Sequence, residues 1–348
     1  MQRFKQWFLS IIKNYKRQEI IRERANQLET RANQLETRAN QLETRANQLE
    51  TRANQLETRA NQLETRANQV LDFHLRKITP QAFLEVVEIH LAEHCNLNCF
   101  GCNHFSQLAN EEFPDILKFE EDMKTLARIS EGFIKTFRLM GGEPLLNPQC
   151  KEFIEITRKY FPKSAIWLVT NGILLNKQKE DFWLSCQKNN VEIRPTKYPL
   201  NIKWEEIKNL CQKYQVSLVF FNDEKTIKTS WKFSLDSLGK CDNYNSFINC
   251  SMANHCIQFK DGKLFTCPIS AHIEHFNKKF VGKDEVKTMF KISKFDYIDI
   301  YGAKNYQEIL TFLAKPIPFC RYCKVLEWKE VGIWRKSSKN INEYLMDR

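Results

Sequence analysis

The stretch Val86-Val87-Glu88-Ile89-His90-Leu91-Ala92-Glu93-His94-Cys95-Asn96-Leu97-Asn98-Cys99-Phe100-Gly101-Cys102 decides how this chain reads. Residues 86–91 are rich in β-branched side chains and have the length of a buried strand. The loop that follows holds three cysteines at spacings of x3 and x2. With 12 cysteines in 348 residues, a fixed three-cysteine pattern arises by chance in roughly one chain in seventy, so the cluster demands a chemical reason. Three thiolates on a short loop hold three irons of a cubane and leave the fourth open to a ligand. Zinc, completed by His94 or His104, is the competing reading; three structural thiols is a weaker one.

Outward from this loop, strands at 136–140, 165–169, 191–194 and 216–221 alternate with helices at 114–133, 149–160, 178–188 and 204–214. Alternation of this kind builds a parallel sheet with helical crossovers. The expected class is α/β, a partial (β/α)6 TIM-type barrel with ligands at the carboxyl ends of its strands. After about residue 222 the pattern fades, and Asp261-Gly262 between Ile257-Gln258-Phe259-Lys260 and Lys263-Leu264-Phe265 marks a two-residue hairpin. Counting outward from that turn sets Cys256 opposite Cys267, about 5 Å apart on one face. With Cys320 and Cys323 they make a four-ligand site for a closed cluster or zinc, and Cys250 is a further candidate. Cys150, Cys186, Cys211 and Cys241 lack metal-like spacing and read as core or surface thiols.

The chain resembles the radical S-adenosylmethionine (radical SAM) superfamily, whose signature is Cys-x3-Cys-x2-Cys after the first barrel strand, here Cys95, Cys99 and Cys102. Gly141-Gly142-Glu143-Pro144 follows the second strand, where the family has a Gly-Gly-Glu-Pro segment contacting the methionyl amino group. Thr170-Asn171-Gly172 follows the third, where relatives carry a polar segment near the cofactor. Physically, adjacent glycines let backbone approach a ligand, and Glu143 offers a carboxylate to an ammonium group. Where relatives have a large apolar residue before the third cysteine this chain has Gly101, so packing against adenine is expected to fall to Phe100 or Phe105.

The resemblance covers about residues 85–222. It implies a 4Fe–4S cluster on the three cysteines, whose open iron chelates S-adenosylmethionine. Reductive cleavage then gives methionine and a 5′-deoxyadenosyl radical that abstracts hydrogen from substrate. Cys250-x11-Gly262-x4-Cys267 followed by Cys320-x2-Cys323 resembles the SPASM and twitch extensions of that superfamily, and the single-cluster twitch form fits better. An auxiliary 4Fe–4S cluster is implied, as is an electron donor of the flavodoxin or ferredoxin type. The substrate class is a peptide, or a sugar or other small polar metabolite.

At the amino terminus, Arg-Ala-Asn-Gln-Leu-Glu-Thr recurs unchanged over residues 24–65, with Ala at heptad position a, Leu at d, Glu at e and Arg at g. Within the repeat Glu and Arg are never three or four residues apart, so no intrahelical ion pair supports a lone helix. The five-residue step from Arg24 to Glu29 instead suits a parallel partner, and a weakly packed homo-oligomer is expected. Residues 4–12 read as the first turns of the same helix rather than a membrane-surface segment. The expected organisation is a helix and coiled coil at 1–70, a linker at 71–84, the barrel at 85–245, an auxiliary-cluster region at 246–330 and a tail at 331–348.

The net charge of +11 is spread along the chain, without the long basic run of a nucleic-acid binder. No apolar run approaches the roughly 18 residues of a transmembrane helix, and the amino-terminal apolar stretch is too short for a signal-peptide core. A soluble cytoplasmic protein is expected, in which clustered thiols mean metal chemistry before disulfides. The competing function is a non-catalytic iron–sulfur or zinc scaffold that assembles through its coiled coil.

Overall fold

The computed structural model describes residues 2–221, 224–225, 227–280 and 290–345, excluding the side chains of residues 2–4, 10, 69, 72–74 and 76–78. Residues 346–348 of the expected tail lie outside the described residues. Two compact units result, Met1–Leu71 and Asp72–Arg348.

One helix, α1 (Gln2–Ile78), carries the whole repeat. In every heptad the Thr hydroxyl donates to the Asn carbonyl four residues back, as from Thr30 to Asn26 at 2.8 Å. The heptad leucines are about two-thirds exposed, from 66% at Leu28 to 64% at Leu63, so the chain leaves its own a/d seam uncovered. The expected linker is shorter than its assigned 71–84. Residues 71–78 extend α1, because no Gly or Pro interrupts the helix before Pro80.

The second unit continues with β1 (Leu84–Ala92), α2 (Ile116–Ile129), β2 (Ile134–Gly141), α3 (Cys150–Tyr160), β3 (Ala165–Thr170), α4 (Glu180–Lys188), β4 (Val191–Pro195), α5 (Trp204–Lys213) and β5 (Ser217–Leu218). There follow β6 (Thr229–Lys232), α6 (Asn243–Asn249), β7 (Ile257–Lys260), β8 (Lys263–Phe265), α7 (Pro268–Phe280), β9 (Tyr297–Asp299), α8 (Tyr306–Leu313) and β10 (Lys329–Ile333). The main sheet has the order β5-β4-β3-β2-β1-β7-β8-β9, while β6 and β10 pair as a separate antiparallel ribbon.

This is an α/β fold with a mostly parallel sheet, and six of its strands run parallel, the number expected. Strands β1 to β5 are parallel and helix-linked, but the sixth parallel strand is β7, beside β1 and not beyond β5. An uncovered β1 edge would be an open hydrogen-bonding template, and β7 closes it with apolar Ile257 against Val87. The boundary drawn at 245/246 therefore cuts through one sheet rather than between two domains.

As a central parallel strand should be, β1 is buried along most of its length. Beneath the sheet α2 and α3 meet through Phe119 on Phe153, with ring centres 4.6 Å apart. A second apolar core gathers Phe105, Phe276, Phe290, Phe319, Tyr322 and Tyr344, joining the end of the cysteine loop to α7 and the carboxyl-terminal residues. Between His90 and Ala92 the β1–β2 register slips, so β1 leaves its ladder as it enters the cysteine loop.

Candidate functional site

The loop after β1 and the carboxyl ends of β2 and β3 border a cavity of about 330 Å³, whose wall includes Cys95, Cys99, Cys102, Phe100, Gly141, Gly142, Thr170 and Asn171. Cys95 Sγ accepts from Leu97 N at 3.3 Å and faces Asn171 Nδ2 at 3.9 Å. Cys99 Sγ accepts from Trp334 Nε1 at 3.1 Å, and Tyr198 Oη lies 4.0 Å away. Burial pushes all three thiols up, Cys99 to about 11, with the neighbouring Cys102 adding to its shift. Thiolates are favoured at such a place only when a metal compensates them.

The spacing of the donors tests which metal fits. A tetrahedral zinc with bonds of about 2.3 Å draws its sulfurs to about 3.8 Å from one another. Among the described residues no three cysteine sulfurs lie within 4.8 Å of one another, and no cysteine set includes His94 or His104. Three thiolates on one loop with no fourth cysteine beside them suit a cubane, in which each of three irons takes its own thiolate and one stays open. His104 is directed elsewhere, its Nδ1 lying 2.7 Å from His90 Nε2.

Glu143 has a different part from the expected one. It is fully buried, outside the cavity wall, and its oxygens accept from Thr170 Oγ1 at 2.6 Å, Asn171 N at 2.8 Å and Leu145 N at 3.2 Å. Both oxygens are engaged and the residue lies outside the cavity wall, so the carboxyl clamps the end of β3 to the start of the Pro144–Leu146 turn. The glycines before it are required by the cysteine loop. A Cβ on Gly142 would stand 2.0 Å from the His94 carbonyl oxygen, and Gly142 N donates to Ala92 O at 2.8 Å. Pro144 is buried and begins the turn.

Burial lifts the Glu143 carboxyl to about 7, against the hydrogen bonds it receives. A folded-state value above the unfolded one means that its contribution is complete below about pH 4.5 and declines as pH rises through 7. Glu143→Ala strands three donors and is expected to lower unfolding free energy at pH 5 by about 3 kcal/mol. Urea melts should show a smaller loss at pH 8.

Phe100 lies in the cavity wall, with the Arg335 guanidinium 4.0 Å from its ring centre and its amide donating to Arg335 O at 3.0 Å. Phe105 does not face the cavity; it is 1% exposed and packs on Phe276 and Tyr344 in the second core. Gly101 departs from the family pattern because it has φ +61° and a Cβ there would meet Trp231 O at 1.9 Å, so no larger residue fits.

The expected tail at 331–348 is also built into the site. Beyond β10, Trp334 reaches Cys99, Lys336 bridges to Cys99, and Ser337 N donates to Asn98 O at 2.7 Å. These contacts carry no local motif, and neither do Tyr198, Trp231 and Lys228, which also line the cavity. Arg138 and Glu88 line it too, joined at 2.7 Å across β1 and β2. Their one sequence signal is a charged residue inside an otherwise apolar strand.

The five later cysteines separate into four and one. Cys250, Cys267, Cys320 and Cys323 are buried in the second core, and burial pushes Cys267 to about 11, with Cys250 adding to it. Cys320 and Cys323 are pushed up by burial and then by Cys267 and their other neighbours in this set. Cys256 is less buried, at the edge of that core and in the cavity wall, where after burial its strongest charged neighbours are Glu88 and Arg138, ahead of Cys250 and Cys267. The hairpin register holds at Lys260–Lys263 and Gln258–Phe265 but ends there. Cys256 closes a turn onto Met252 O at 2.9 Å and Cys267 leads into α7, so the expected cross-strand pairing is lost.

Residues 89–193 match the family model described as the radical SAM superfamily. The curated GTP 3′,8-cyclase of Clostridium botulinum (strain Hall) is 26% identical over 164 residues, 47% of this chain and 48% of the relative. The GTP 3′,8-cyclase of Helicobacter pylori (strain HPAG1) is 24% identical over 156 residues, 44% and 47% of the two chains. The chain thus spans about half the length of the curated relatives it matches. A solved structure of BtrN in complex with AdoMet and 2-DOIA aligns at a TM-score of 0.43 and 16% identity, over 70% of this chain and 94% of that one.

Proposed function

Residues 89–193 make this chain a member of the radical SAM superfamily, and from that premise we propose that it is an enzyme that cleaves S-adenosylmethionine on the Cys95, Cys99 and Cys102 loop. The observation that carries the reading is three half-buried thiols, with no fourth cysteine on their loop, on the wall of a cavity at the carboxyl ends of parallel strands. When bound, the 4Fe–4S cluster and S-adenosylmethionine supply a 5′-deoxyadenosyl radical that takes hydrogen from substrate.

The chain's own residues position and shield that chemistry. The three cysteines hold the cluster, with Trp334 donating to Cys99 and Asn171 facing Cys95. Gly141, Gly142, Thr170 and Asn171 offer the backbone and polar wall for S-adenosylmethionine, and Phe100 an apolar face for its adenine. Glu143 acts through Thr170 and Asn171 by fixing their backbone. Residues 334–337 cover the loop and exclude water. The confined volume, with Lys228 and Arg138 as its cations, supports a small polar metabolite over a peptide as substrate.

Cys250, Cys267, Cys320 and Cys323, gathered in one core, offer four thiolates for a twitch-like auxiliary 4Fe–4S cluster, with zinc the alternative. A flavodoxin- or ferredoxin-type protein would supply electrons. Among the described residues no helix is long and apolar enough to cross a membrane; the cytoplasmic reading rests on the clustered thiols, which call for a reducing compartment. The uncovered leucine seam of α1 supports a parallel homo-oligomer. Deleting residues 24–65 is expected to reduce the mass by light scattering to that of the monomer while leaving cofactor cleavage intact; an unchanged oligomer count refutes the assembly.

The function itself is tested by anaerobic reconstitution, reduction and chromatography for 5′-deoxyadenosine. Product should form in the wild type. Its absence with both clusters intact would favour the scaffold reading.

A further inference from the structure

Four of the seven histidines, His90, His104, His272 and His275, converge behind the cysteine loop, and the cofactor chemistry above uses none of them. The carboxyl end of β1 brings His90 and Glu93 against α7, where His272 and His275 lie one turn apart on the same face. All four of these are 5% exposed or less. Glu93 Oε2 lies 2.6 Å from His275 Nε2 and 3.1 Å from His272 Nδ1, and the three ligand atoms fall within 4.8 Å of one another.

Counting hydrogens exposes a conflict at His272. Its Nδ1 faces the Glu93 carboxylate, and its Nε2 faces Gln258 Oε1 at 3.3 Å. The Gln258 amide cannot be turned to relieve this, because its Nε2 already donates to Glu88 Oε2 and to Cys256 O. A neutral imidazole has one N–H for these two acceptors. A second proton would bury an imidazolium at 1% exposure. A cation on Nδ1 resolves the conflict: it takes that lone pair and leaves Nε2–H for Gln258, the arrangement metal-bound histidines adopt with their outer partners.

His90 adds a second observation. Its Nδ1 is buried without a hydrogen-bond partner and faces Glu93 Oε2 at 3.4 Å, while its ring stacks on His272 with centres 3.7 Å apart. His104 holds its other nitrogen.

We infer that Glu93, His272 and His275 form a metal site for a divalent first-row transition ion, separate from both cysteine sets. Two imidazoles and one carboxylate suit zinc or iron(II). An ion about 2.0–2.1 Å from each donor needs about 3.3 Å between them, so the 3.1 Å edge opens by about 0.2 Å and the 2.6 Å edge by about 0.7 Å, a shift that rotation of the His275 and Glu93 side chains supplies. Lys260 Nζ sits 3.4 Å from the other oxygen, Oε1, leaving Oε2 for the ion, and Glu274 at 2.7 Å offsets the Lys260 charge. The consequence is structural. The ion joins a residue two places before Cys95 to the helix that starts immediately after Cys267, and so holds the two cysteine sets at a set distance.

The test uses full-length protein with its clusters reconstituted, which keeps the cysteines occupied. After equilibration with micromolar zinc(II) and desalting, we expect one zinc per chain in the wild type and at least a tenfold weaker affinity in His272→Gln and His275→Gln. X-ray absorption at the zinc edge, which reads zinc apart from iron, should show nitrogen and oxygen donors at about 2.0–2.1 Å and no sulfur at about 2.3 Å, identifying the donors in the wild type even if a variant fails to fold. No bound zinc in the wild type, zinc content unchanged in both variants, or sulfur donors at the zinc edge overturns the inference.

Discussion

Cys99→Ala should eliminate 5′-deoxyadenosine formation, with a fall on the order of 1,000-fold or more relative to the reconstituted wild type. Cys99 is the middle thiol of the loop and the one to which Trp334 donates, so its loss removes a ligand and the contact that seats the 334–337 segment. Two thiols cannot hold a cubane with one open iron. The control is Cys186→Ala: that thiol is fully buried in the main core, and removing it should cost stability but leave cofactor cleavage. A Cys99→Ala variant that retains a tenth of wild-type product formation would falsify the assignment of the loop.

A comparably large difference is expected between two cysteines that sequence spacing treats as equals. Cys267→Ala should lose about four irons per chain, because one of four ligands to a closed cluster is removed. Cys256→Ala should keep the full iron content, since its thiol belongs to the cavity wall beside Glu88 and Arg138. Iron and sulfide analysis on the reconstituted proteins separates the two. Should Cys256→Ala lose four irons while Cys267→Ala keeps them, the partition of the five cysteines is reversed. The Cys267 variant should still yield some 5′-deoxyadenosine, because the first loop is intact.

The resemblance to the radical SAM superfamily was legible because its signals are local. Cys95, Cys99 and Cys102 lie within eight residues, and the glycines at 141–142 and Thr170-Asn171 each follow a strand whose hydrophobic pattern is visible in isolation. The contacts that hold Gly142 and Glu143 in place were not legible. The glycine is required by the approach of the His94 carbonyl, and the carboxyl is consumed by Thr170, Asn171 and Leu145, all contacts made by distant segments. Phe105 was a candidate for the adenine face and is a core residue, since proximity to the loop in sequence does not say which way the chain turns after Cys102.

What the linear order of residues settles here is whatever repeats or clusters over a few residues. The heptads specify a helix, the alternation of apolar segments a parallel α/β sheet, and the three close cysteines a metal-bearing loop, because each depends on geometry within a few turns or one strand. Folding alone settles what converges from afar. It brings β7 beside β1, lays Trp334 on Cys99 across 235 residues, puts Cys256 in the cavity wall at the edge of the core that holds the other four thiols, and gathers four histidines from β1, the cysteine loop and α7. Those outcomes follow from closing sheet edges, burying apolar faces and satisfying buried polar atoms over the whole unit. No short window of sequence contains both sides of such a contact.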